Sequence, residues 1–144
     1  MRLRMSCVAS GALLAGALAL AACTDSTSSN ACGSGTAPVV VGTYKLASYT
    51  LGASTIDTAQ GASGQLRFYT STYGFNLTIP IQGAISDSGT YAISGARCMS
   101  EVSVQNPGTT TGTFSLSGTT PGSIFTFAGT NSAIGALGFS AVRQ

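Results

Sequence analysis

Between Val39 and Gln144, apolar residues recur at every second position in short runs, and the runs are separated by turn-forming residues. In "FNLTIPI", Phe75, Leu77, Ile79 and Ile81 fall on one side and Asn76, Thr78 and Pro80 on the other. That is the period of two expected of a half-buried strand. Pro80 has no N–H to offer a neighbour and marks a strand end or an edge. The same alternation groups Leu66 with Phe68 in "QLRFYT", Tyr91 with Ile93 in "TYAIS", and Phe114 with Leu116 in "TGTFSLSG". It also groups Phe125 with Phe127 in "SIFTFAG", and Leu137, Phe139 and Ala141 in "ALGFSAVRQ". In "CMSEVSVQ" it puts Cys98, Ser100, Val102 and Val104 together, with Glu101 facing outward. A first strand runs through "VVVGTYKLASYTL", where Gly42 signals a bend or a close backbone approach. "STYG" (71–74), "SDSG" (86–89), "NPG" (106–108), "TTPG" (119–122) and "GTNSAIG" (129–135) read as turns, and 52–64 as a loop.

The result is an all-β domain of about eight strands with connections short enough for antiparallel neighbours and no helix for a parallel crossover. Such a meander hides its edges best by closing into an up-and-down barrel, and a β-sandwich is the alternative. An eight-stranded interior is either filled by side chains or holds one small ligand. The candidates to line a cavity are Tyr44, Leu46, Phe68, Phe75, Leu77, Ile79, Tyr91, Phe114, Phe127 and Phe139. For a domain spanning 39–144, the expectation is a filled or nearly filled interior.

The opening of the chain follows a different pattern. Arg2 and Arg4 precede an apolar run from about Val8 to Ala22, a positive start and small-residue end typical of a secretory signal. The run is shorter than the roughly 17–25 residues of a transmembrane helix. Residues 1–22 are therefore expected to be a signal peptide. Residues 23–38, "CTDSTSSNACGSGTAP", read as a flexible linker to the 39–144 domain. The signal ends in Leu20-Ala21-Ala22-Cys23, which resembles the lipobox of bacterial lipoproteins. The resemblance implies a diacylglyceryl thioether on Cys23, cleavage before it, and acylation of the new amino group by a chain such as palmitate. Two or more chains make sense, because each buried methylene contributes about 0.8 kcal/mol and one chain anchors only weakly. In that family an Asp directly after the cysteine favours the inner membrane. Here Thr24 stands there, so the outer membrane is expected in a cell that has two.

Composition narrows the chemistry. Past residue 22 the basic residues Lys45, Arg67, Arg97 and Arg143 balance the acids Asp25, Asp57, Asp87 and Glu101. Nothing forms a basic patch, so nucleic acid is not an expected partner. The chain has no histidine, the commonest general base. Lys45 reads as a solvated strand residue. The acids are not expected to pair, with Asp57 in a polar loop, Asp87 in the "SDSG" turn and Glu101 facing out. No catalytic residue, cofactor or metal site is expected, since two cysteines without histidine make a poor metal site. If Cys7 leaves with the signal and Cys23 is acylated, Cys32 and Cys98 remain. Outside the cytosol they are a candidate disulfide, the alternative being two unpaired thiols.

"VGTYKLASYTLG", "GTYAISG" and "LGFSAVRQ" together resemble small lipocalin-like domains of the bacterial cell envelope. The resemblance rests on Gly42, Thr43, Tyr44 and Leu46, then Gly89, Thr90 and Tyr91, then Arg143. Larger lipocalins carry tryptophan at the position of Tyr44 and add a C-terminal helix. The expected function is non-enzymatic: a lipid-anchored, monomeric envelope barrel that binds a small hydrophobic ligand or lipid. The alternative is a module that docks to another envelope component. An interior cavity of about 300 Å³ or more favours the first. An exposed apolar patch larger than a few hundred Å² favours the second.

Overall fold

The computed structural model describes residues 31–80 and 82–144, which form one antiparallel sheet of nine strands that closes on itself. The strands are β1 (Gly42–Leu51), β2 (Ser54–Asp57), β3 (Ser63–Phe68), β4 (Thr72–Ile79), β5 (Gly83–Ser94), β6 (Cys98–Ser103), β7 (Thr109–Leu116), β8 (Ile124–Asn131) and β9 (Gly135–Arg143). From β3 to β9 each strand pairs with the next, and β1 pairs with both β3 and β9. Eight strands therefore make a closed up-and-down barrel of lipocalin-like architecture, and the sandwich is ruled out. The signal segment, the Leu20–Cys23 motif and Ile81 lie outside the described residues.

β2 is the additional strand. It pairs with Ser48–Leu51 on the same edge of β1 whose first half, Gly42–Lys45, pairs with β3. β2 and β3 are thus two parts of one stave, interrupted at 58–62. The interruption is a 3-10 turn over Thr58–Gln60. Asp57 caps it by accepting from the Gln60 amide, and the Gln60 side chain accepts from the Asp57 amide in return. Gly61 ends it at φ 97°, a left-handed conformation that costs glycine little. The stretch read as a loop therefore holds a strand and a capped turn, and Asp57 has a structural job.

Two expected turns are instead strand. Ser86–Gly89 lies within β5, paired along its length with β4, and Tyr73 and Gly74 lie in β4. Gly89 is needed there for packing rather than turning, because a Cβ would sit 2.0 Å from the Val102 carbonyl oxygen. In β1, Gly42 is a close approach, since a Cβ there would sit 3.0 Å from the Arg143 guanidinium, while the register shift falls between Leu46 and Ser48. This one-residue bulge switches the phase, so Tyr44 and Leu46, then Tyr49 and Leu51, turn inward.

The strands alternate in direction, so the barrel has two distinct ends. One end carries the chain entry, the β3–β4, β5–β6 and β7–β8 connections and the C-terminus. It is plugged by aromatic packing among Tyr44, Phe68, Phe114 and Phe125. Above them the Phe127 ring fills the space over Gly112 and Gly129, a cross-strand glycine pair where any Cβ would strike that ring within 2.8 Å. The plug is sealed from outside by the chain itself. The Tyr44 hydroxyl donates to the Val40 carbonyl at 2.7 Å, and Arg143 lies 5.5 Å over the Tyr44 ring while donating to the Val41 carbonyl. At the same end Cys32 and Cys98 form a disulfide spanning 66 residues. The Arg97 amide donates to the Cys32 carbonyl beside it.

Candidate functional site

The opposite end carries the β1–β2, β4–β5, β6–β7 and β8–β9 connections. Beneath them lies a cavity of about 230 Å³. Its walls are apolar, built from Tyr49 and Leu51 of β1, Leu66 of β3, Phe75 and Leu77 of β4, Ile85 of β5, and Leu137 and Phe139 of β9. Gln82, Asn106 and Ile134 from the connections form its rim. Into this surface project Asp87, Glu101, Thr110 and Asn131, all buried. No lysine or arginine is among the lining residues. The volume falls short of the roughly 300 Å³ expected of a ligand-binding interior, and it leaves room only for a small occupant. A larger groove of about 580 Å³ crosses the outside of β3–β5, but its walls are mainly polar side chains such as Gln65, Arg67, Asn76 and Gln105.

The two acids correct the expectation from sequence. Asp87 is not in a turn and Glu101 does not face out: they are 8% and 7% exposed and share the cavity. The phase of β6 is the reason. Met99 and Glu101 turn inward, which sends Val102 and Val104 outward at 52% and 79% exposure.

Asp87 is fully engaged. Its Oδ2 accepts from the Tyr73 hydroxyl at 3.1 Å, and its Oδ1 accepts from the Ser88 amide at 2.8 Å and the Ser103 hydroxyl at 2.5 Å. Tyr73 is pushed well above its ordinary value by burial, then by the Glu101 and Asp87 charges, and so remains a donor. The Asn131 amide nitrogen donates to Thr110 Oγ1 at 2.9 Å, while its carbonyl oxygen caps the β8–β9 connection by accepting from the Ala133 and Ile134 amides.

Glu101 is different. No side chain or amide among the described residues donates to its carboxylate, whose oxygens stay open to the cavity, and burial, then the neighbouring Asp87 carboxylate, pushes its pKa up to about 7. Between pH 4.5 and 7 the folded protein therefore holds a proton that the unfolded chain releases, and stability falls as pH rises through that window. Glu101→Gln should leave stability unchanged at pH 4 and raise it by up to about 3 kcal/mol at pH 8. Urea unfolding at the two pH values measures this. An equal effect at both would show that charge burial is not the cause.

Of the ten candidate lining residues, Phe75, Leu77 and Phe139 line the cavity. Tyr44, Leu46, Phe68, Ile79, Phe114 and Phe127 belong to the packed core. Tyr91 is half-buried and packs edge-on against Phe68. Sequence reasoning missed Asp87, Glu101, Thr110 and Asn131 as lining residues, and the supporting Ser103. The available signal was Met99: taken as the inward residue of β6, it carries Glu101 inward with it.

No protein-family model, curated protein or solved structure matches this chain.

Proposed function

We propose that this chain is a lipid-anchored protein of the cell envelope, held outside the cytoplasm through Cys23, and on the outer membrane where the cell has two. In this reading its barrel acts as a monomer and binds a small, largely apolar molecule without transforming it. The mouth cavity carries the binding part: a concave apolar surface with a few convergent polar groups, set on a rigid barrel plugged at its other end. The anchor rests on the Leu20–Cys23 motif behind a well-formed signal, and the Cys32–Cys98 disulfide fits an oxidising compartment. The contact of Arg143 on Tyr44 supports the lipocalin-like resemblance by joining its first and last motifs.

Cys23→Ser is expected to move nearly all of the protein from the membrane pellet to the soluble fraction. Retention in the pellet would remove the anchor. Native mass spectrometry of the protein purified from membranes should find a small co-purifying molecule, and its consistent absence counts against binding. The docking alternative draws on Val102 and Val104, exposed on the outside of β6.

A further inference from the structure

We infer that the mouth cavity selects an organic monocation: a compact molecule with an apolar body and one ammonium-type head, the head meeting Glu101 and the body lying against Phe75, Leu77 and Phe139. This rests on the reading of the cavity as a ligand site and names the chemistry of its occupant. Glu101 carries the inference. The residue is only 7% exposed, lines the cavity, and receives no hydrogen bond from another described residue. Its oxygens meet the cavity instead of a protein donor, so a neutral occupant would strip them of water without replacing it, whereas a cation placed against them would compensate the charge. Asp87 cannot help, since its oxygens are committed to Tyr73, Ser88 and Ser103 and its charge opposes that of Glu101.

The alternatives are less well served. An anionic ligand would meet two acids and no lysine or arginine, and one N–H of the Asn131 amide is already given to Thr110. A metal ion would lack ligands, because no cluster of three or more His, Cys, Asp or Glu exists among the described residues. A wholly apolar ligand would bury the carboxylate further without a partner. A cation with an apolar body suits both the walls and the acid.

The ionisable groups around Glu101 are Asp87 and its cross-strand neighbour Tyr91 on β5, Tyr73 on β4 and Tyr49 on β1. On β7 the residue opposite is the uncharged Thr110. Glu101 is thus the group expected to gain its charge near neutrality, and cation binding should follow it.

The test uses three molecules of similar shape, 2-phenylethylammonium, 2-phenylethanol and 3-phenylpropanoate, titrated calorimetrically into the full exported chain carrying Cys23→Ser, which keeps Cys32. At pH 8 the cation should bind at least about tenfold more tightly than the alcohol, and the propanoate most weakly. Lowering the pH to 6, where the amine stays charged, should weaken the cation about tenfold and should not weaken the alcohol. Glu101→Gln should abolish the cation's advantage over the alcohol at pH 8, with an unchanged far-UV circular dichroism spectrum reporting an intact barrel. If that variant does not fold, the pH series on the unaltered protein decides. Equal affinity for alcohol and cation, or a pH-independent preference, would overturn the cation inference and leave the apolar reading standing. If none of the three binds, both fall.

Discussion

Replacing Phe125 with alanine should lower the stability of the barrel by about 4 kcal/mol. Phe125 is fully buried and touches four other rings: Phe68 at 5.1 Å, Tyr44 and Phe139 at 5.6 Å, and Phe114 at 5.7 Å between centroids. Those rings come from β3, β1, β9 and β7, so one side chain ties strands on several sides of the barrel. The surrounding staves are fixed by continuous ladders and cannot collapse into the space left behind, which puts the loss in the upper part of the usual range. Single domains of this size have about 5–15 kcal/mol in total, so the variant would be close to unfolding. Chemical denaturation should show the loss directly, and thermal melting should show a midpoint lower by roughly 15–25 °C. A change under about 1 kcal/mol would mean that Phe125 is not the hub its contacts indicate.

Removing the disulfide should be equally damaging by a different route. With Cys32→Ala and Cys98→Ala together, the unfolded chain regains the freedom of a loop spanning 66 residues. On the chain-entropy account that costs the folded state about 4 kcal/mol. No strand ladder contains Cys32, and Cys98 is only the first residue of β6, so the double variant should keep the barrel and its cavity. Equilibrium unfolding of the double variant, and of the unaltered protein with and without reductant, should give matching losses. Little or no loss would indicate a denatured chain that is already compact.

Both predictions draw on parts of the fold that were legible in the sequence. Where large apolar residues alternate with polar ones, as in β4, β7, β8 and β9, the inward face follows from the chain alone. Phe75, Leu77, Phe114, Phe125, Phe127 and Phe139 all turn as expected. The disulfide is also as expected. The strand containing "SDSG" was hidden because its residues are turn formers by composition. Inside the barrel they serve instead as a close-approach glycine and a hydrogen-bonded carboxylate. The face of β6 was hidden because its hydropathy is inverted: valines face out and an acid faces in. Only Met99, buried in the core, marked the inward face, and the valines on the other phase outweighed it. The bulge in β1 escaped for a related reason, as its two flanking halves each alternate correctly but in opposite phase.

The position of the Cys32–Cys98 crosslink also sets how the barrel would stand on a bilayer. With Cys23 as the lipidated residue, the leash is not the whole stretch up to β1 but only the nine positions to Cys32. Fully stretched, that reaches at most about 30 Å. The leash would join the barrel at its plugged end, so a barrel drawn up against the bilayer by it would turn the acid-lined mouth to the aqueous side. Whatever enters it would arrive by diffusion through water, not by lateral passage out of the membrane.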